Sequence, residues 1–285
     1  MQDQAESLRQ LAQAKEGDVG KTKIITVTSG KGGVGKSNFV VNLGISLQMK
    51  NKKVLIFDAD IGMGNDDVLM GVYPRYNVFD VIKGMKIEDI IVEGPFGISL
   101  LAAGSGVNQV EDLNSEQRNL FLSKLEELSG YDYILMDTGA GINRSVLAFI
   151  ACSEELIILT TPEPTLLTDA YSLIKASDSF KIKDSAYIVV NKAFDSKEGI
   201  ETFDRFKSVV DKFLSVKVTY LGCILEDRSL VKSVKNQVPV IIGYPKSDVS
   251  RSIEKISEAL ISRNVESKNV FGAKELFKKL FNIFS

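Results

Sequence analysis

Nine residues, Ser29-Gly30-Lys31-Gly32-Gly33-Val34-Gly35-Lys36-Ser37, limit what this chain can become more than any other stretch. They follow an apolar run, Ile24 to Val27, and lead into a helical pattern that starts near Asn38. Strand, glycine-rich turn and helix are the setting in which G-x-x-x-x-G-K-[ST] cradles phosphate. Gly30, Gly32, Gly33, Val34 and Gly35 let backbone N–H groups wrap a triphosphate, Lys36 reaches the outer phosphates, and the Ser37 hydroxyl ligates Mg²⁺. The following helix turns its positive dipole end to the same anion. A nucleoside triphosphate and Mg²⁺ are therefore the expected cofactors.

Composition removes several other classes. The chain has 285 residues, 44% hydrophobic and 25% charged, enough for one large α/β domain with appendages. It contains no histidine, so a Ser-His-Asp triad or a histidine metal site is excluded, and base chemistry falls to a carboxylate or a lysine. Cys152 and Cys223 stand far apart without a CxxC, which supports neither a disulfide framework nor a metal cluster. A formal charge of −2 argues against binding nucleic acid through the whole surface. The polar, acidic start (Met1-Gln-Asp-Gln-Ala-Glu) is unlike a signal peptide, and no apolar run approaches the ~20 residues of a spanning helix. A reducing cytoplasm is the expected setting.

Taken in order, residues 1–16 carry Ala5, Leu8, Leu11 and Ala12 at helical spacing with Asp3 placed to cap, a short amphipathic helix. Gly17 to Gly20 detach it, leaving it free to dock on its own domain or to await a partner. Lys53 to Phe57 is a buried parallel-strand pattern ending in Asp58-Ala59-Asp60. Acids at the carboxyl end of such a strand sit where α/β sheets bind ligands, and two residues apart they share a face. Ile61 to Asn65 reads as a loop, residues 66–93 as short helices, Ile98 to Ala102 as a strand before Gly104-Ser105-Gly106, and 115–129 as a helix with Leu120, Leu125 and Leu128 inward. Tyr133-Ile-Leu-Met-Asp137 describes a Walker B strand, with Asp137 the natural holder of Mg²⁺. Leu156 to Thr160, Tyr187 to Val190 and Val218 to Leu221 are further strands, separated by helices over 165–179, 197–213 and 227–236. Val238 to Ile242 reads as an edge segment because of Pro239, and a helix over 249–262 closes the domain. The alternation predicts an α/β fold, a mostly parallel sheet flanked by helices on both faces.

The setting of Lys31 in KGGVGKS resembles the deviant Walker A loop of the MinD/ParA family of P-loop ATPases. The resemblance covers about residues 22 to 262 and implies catalytic roles for Lys31, reaching a dimer partner's nucleotide, and for Asp60, positioning the attacking water. It implies that Asp58 helps order the metal shell, that Asn191 reads adenine, and that Pro239 joins the nucleotide-binding set. The loop 61–67 nearly meets the family's IGxxNxD pattern, with Asp67 in the last slot, and Asp137 to Gly141 its DxxAG switch, although Gly139 replaces the common proline. A guanine-specific NKxD needs an acid at 194, where this chain has Phe194, so ATP is favoured over GTP. The segment Asp3-Gln4-Ala5-Glu6-Ser7-Leu8-Arg9 resembles the DQAxxLR element of the FlhG (YlxH) branch of this family. That branch regulates flagellar number and placement, and its element activates the FlhF GTPase; the likeness implies an FlhF-type partner through Asp3, Gln4, Leu8 and Arg9, and flagellar basal-body (C-ring) proteins as further partners. Division-site placement of the MinD type, DNA segregation of the ParA type and a scaffold that binds ATP without hydrolysing it are the alternatives.

After a polar linker, Val270, Ala273, Phe277, Leu280, Phe281 and Phe284 recur at helical spacing, opposite Lys274, Lys278 and Lys279. Basic on one side and aromatic on the other, this is the pattern of a helix lying on an anionic membrane. MinD ends in a similar membrane-targeting helix. Each lysine near an anionic leaflet contributes on the order of 1 kcal/mol, so one helix binds weakly and reversibly. Two helices on an ATP-dependent homodimer gain ~10²–10⁴ through effective concentration. The expected layout is a partner-activating leader over 1–20, an ATPase domain over 21–263 and a membrane-targeting helix over 264–285.

Overall fold

A computed structural model describes residues 22–60, 64–102, 120, 128 and 130–263. The leader helix, Gly104 to Gly106, most of the helix expected over 115–129 and the C-terminal helix, with their candidate residues Asp3, Gln4, Leu8, Arg9, Lys274, Phe277, Lys278, Leu280, Phe281 and Phe284, lie outside these residues. Of the leucines expected inward over 115–129, Leu128 is buried but Leu120 is 40% exposed.

The chain alternates as its patterning predicts. β1 (Lys23–Ser29), α1 (Lys36–Met49), β2 (Val54–Ala59), α2 (Asp66–Met70), a 3₁₀ turn at Val78–Lys83, α3 (Ile87–Ile90), β3 (Val92–Glu93) and β4 (Ser99–Ala102) form the first half. β5 (Tyr133–Thr138), α4 (Arg144–Cys152), β6 (Glu155–Thr160), α5 (Pro164–Ser179), β7 (Ser185–Ala193), α6 (Ser196–Phe213), β8 (Lys217–Leu225), α7 (Arg228–Lys235), α8 (Val240–Gly243) and α9 (Asp248–Arg263) follow. The described strands make one eight-stranded sheet in the order β3-β4-β2-β5-β1-β6-β7-β8. All pair in parallel except β3, whose two residues add an antiparallel edge to β4. From central β1 the chain moves one way to β2 and β4, and the other way through β6, β7 and β8. The strand ends at such a reversal point form a crevice, and the glycine loop leaves β1 there.

β1, β2 and β5 are buried along their whole length, because helices cover both faces. α1 is buried nearly all round: its inner side lies on the sheet and α9 covers its outer side, with Ser46 Oγ and Ser257 Oγ 2.8 Å apart. Gly44 permits the close approach, since a Cβ there would stand 2.7 Å from Ile98 Cδ1. Among the described residues no helix is long and apolar enough to cross a membrane.

One element differs in kind from expectation. Val238 to Ile242 is not an edge strand; Pro239 precedes a helical turn, α8. Its φ of −51° suits a helix start, and the Ile241 N–H donates to Asn42 Oδ1 of α1 at 3.1 Å instead of to β8. Val240 and Ile241 are buried in the core that α1 and α9 share.

Candidate functional site

The loop after β1 needs its glycines for two separate reasons. Gly33 and Gly35 have φ of +85° and +91°, in the left-handed region that side chains disfavour. Gly30 is pressed on α5, where a Cβ would fall 2.2 Å from the Asp169 carbonyl carbon. Gly32 faces open space. Lys31 is exposed at the tip, its carbonyl accepting from Ser29 Oγ at 2.9 Å.

Behind the loop stand the acids. Asp58 and Asp137 are opposite one another across β2 and β5, at the carboxyl ends of both strands. Lys36 Nζ lies 2.5 Å from Asp137 Oδ1, both groups buried, and Ser37 beside them favours the charged form of Asp137. Asp58 Oδ1 accepts the Asp60 N–H at 3.2 Å and its Oδ2 accepts the Asp66 N–H at 3.4 Å. Asp66, in the first turn of α2, is fully buried, and neither carboxylate oxygen has a hydrogen-bond donor.

Three carboxyl groups thus face the ammonium of Lys36. Burial, and then Asp137, push Asp58 up to about 7 against the backbone donors and Lys36. Burial raises Asp66 well above the usual carboxyl range, with Asp137 and Asp58 adding to it. Burial also raises Asp137, opposed by Lys36 and Ser37. An acid-rich buried site of this kind gains from a cation, and its hard oxygen donors fit Mg²⁺. Mg²⁺ takes one or two carboxylates and leaves the rest of its shell to water and phosphate.

The segment after β5 is stitched to the root of the loop. The Gly141 N–H donates to the Ser29 carbonyl at 2.9 Å, and Thr28 Oγ1 to the Gly139 carbonyl at 3.4 Å. These bonds hold in place a segment that lacks the family's proline. Gly139 lies beside Asp60, where a Cβ would come within 3.2 Å of Asp60 Oδ1.

Asn191 closes β7 against the loop: its Nδ2 donates to the Val34 carbonyl at 2.6 Å, and its Oδ1 accepts the Lys192 N–H at 2.9 Å. In this state its amide braces the cradle. Lys192 Nζ donates to the Gly33 carbonyl at 3.0 Å, a second brace that the sequence reading missed. Pro239 stands at the start of α8. It lines a shallow apolar groove of about 280 Å³ with Met70, Pro95, Phe96, Gln237, Val238 and Ile242. Asp66 was also missed, because an acid in a first helical turn reads as a dipole partner; its neighbour Asp67 accepts the Val68 N–H at 2.8 Å.

Residues 22–206 match the family described as AAA domain. The chain is 40% identical over 248 residues to the flagellum site-determining protein YlxH of Helicobacter pylori, covering 86% of this chain and 83% of that one. It is 34% identical to the antiactivator FleN of Pseudomonas aeruginosa, covering 86% and 89%. Among solved structures, the MinC:MinD cell division protein complex of Aquifex aeolicus superposes with a TM-score of 0.67 at 28% identity, over 87% of this chain and 100% of that chain. MinD of Pyrococcus horikoshii in complex with Mg-ADP gives 0.66 at 25% identity, over 86% and 98%.

Proposed function

The chain belongs to the MinD/ParA family of P-loop ATPases, and we propose that it serves there as an ATP-hydrolysing dimerisation switch that regulates flagellar number and placement. The observation that carries the reading is the pairing of Asp58 with Asp137 directly behind Lys36 and Ser37, at the mouth of a glycine cradle. Ser37, Asp58 and Asp137 would hold Mg²⁺, which would supply neutralisation of phosphate charge. Lys36 leaves Asp137 for the outer phosphates. Asp60 orients the attacking water, and Lys31 of each subunit reaches the other's nucleotide, a contact of the arginine-finger class worth ~10³–10⁵ in rate.

ATP joins two subunits, joining pairs their C-terminal helices, and pairing fixes the protein to an anionic membrane; hydrolysis reverses each step. The leader residues Asp3, Gln4, Leu8 and Arg9 engage an FlhF-type GTPase, and the dimer meets basal-body proteins. The names of the flagellar relatives support this reading. Division-site placement is the second reading, favoured by 30% identity to the septum site-determining protein MinD of Synechocystis over 91% of that protein. Removing residues 1–16 separates the two: loss of FlhF stimulation supports the first, and no change supports the second.

The test of the switch is Asp60→Ala. With ATP it should elute at twice the protomer mass, stay on anionic vesicles and release phosphate ~10²–10⁴ more slowly. A monomer with both ATP and ADP would sink the assignment.

A further inference from the structure

Phe194 is the most exposed large apolar side chain among the described residues, at 85%. Single exposed apolar residues are ordinary, and Phe180 and Phe213 are nearly as bare where α5 and α6 end. Phe194 differs in where it is held. It lies at the other end of the sheet, directly after β7, on the stretch that Asn191 and Lys192 stitch to the Val34 and Gly33 carbonyls.

Its mount is rigid. The Phe194 N–H donates to Glu198 Oε2 at 2.6 Å, Asp195 caps α6 through the Glu198 N–H at 2.8 Å, and the Ala193 carbonyl accepts the Glu226 N–H at 2.9 Å. Lys192, at φ +57°, lies in a bulge where the β7–β8 register slips between Val190 and Ala193, the last residue of the strand. The ring is therefore carried out of the sheet by a fixed backbone and left uncovered. A nucleotide seated in residues 30–37 must send its sugar and base out of the cradle, and 191–194 is a rim that touches the cradle.

We infer that Phe194 is the purine platform of this site: the base of the bound nucleotide stacks on its ring. The inference rests on residues 30–37 being an ATP site. Stacking covers apolar surface on both partners and demands no particular hydrogen-bond pattern.

The chain has no tryptophan, so Phe194→Trp introduces a single reporter. Its emission should be quenched by ADP and by ATP and stay unchanged with inorganic tripolyphosphate. By calorimetry on the full chain, Phe194→Ala should bind ATP roughly tenfold more weakly and bind tripolyphosphate as the parent does. Phe194→Tyr should restore the parent's affinity. Undiminished ATP affinity in Phe194→Ala, or an emission indifferent to ADP and ATP while calorimetry records binding, would overturn the platform and leave the ATP site standing. If the parent bound neither ATP nor tripolyphosphate, the ATP site itself would fall.

Discussion

Each end of β1 has a buried lysine on a carboxylate, yet the two pairs do different work. At the amino end Lys23 Nζ meets Glu155 Oε1 of β6 at 2.6 Å, in a cavity of about 390 Å³ whose walls include Tyr187, Lys217 and Thr219. Just past the carboxyl end Lys36 Nζ meets Asp137 Oδ1 of β5 at 2.5 Å, with Asp58 and Asp66 crowding the same space. The first pair joins residues of two strands in a fixed sheet. The second joins a strand to a loop of left-handed glycines and carries surplus acid. A buried lysine–carboxylate contact thus says little about role; the charge balance around it and the backbone beneath it decide.

The sharpest way to break this comparison is to neutralise each lysine. Lys36→Gln should lower turnover by ~10²–10³ through loss of a positioned charge at the phosphates, whereas Lys23→Gln should leave nucleotide affinity, read by calorimetry, within about twofold because no phosphate is near it. Equal losses would show that the two ends are coupled. Next in size, Lys23→Met leaves the half-buried Glu155 without this cation and should cost about 2 kcal/mol in urea unfolding, with ATP hydrolysis per folded molecule unchanged.

Asp66→Leu should act in the opposite sense, since replacing a buried, donorless carboxyl by an apolar side chain of similar size removes repulsion. The nucleotide-free protein should gain about 1–2 kcal/mol, seen as a melting temperature a few degrees higher. A lower melting temperature would mean that Asp66 is stabilised by something other than its neighbours shown here.

The smallest effect is the pH dependence. Asp58 is raised to about 7, and Asp66 and Asp137 shift in the same direction. The folded, nucleotide-free protein therefore retains protons that the unfolded chain releases near pH ~4. Its stability is full in acid and falls as pH rises through that range to about 7. Melting temperatures should decline steadily across that window, less so in Asp58→Asn; a rise would contradict the acid surplus.

Motifs carried by spacing were legible in the sequence. The cradle, the Walker B strand ending at Asp137 and the α/β alternation each depend on a local pattern, and local patterns survive in one chain. What failed to show was set by distant partners. The run 238–242 looked like a strand until Asn42 claimed its N–H and α1 and α9 its side chains. β3 is two residues long, too short for any periodicity. Asp66 and Lys192 matter through groups remote in sequence, Asp137 and Gly33, so no window around them reveals it.

α1 begins at Lys36 in the cradle and runs about 21 Å to its last turn, beyond which Lys50 Nζ meets Glu258 of α9 at 3.2 Å. α9 ends at Arg263, braced on the Tyr187 ring at 5.5 Å, and there the C-terminal extension takes root. Ser46, in the last turn of α1, and Ser257 of α9 join the two helices, so one packed path runs from the phosphate loop to the last described residue.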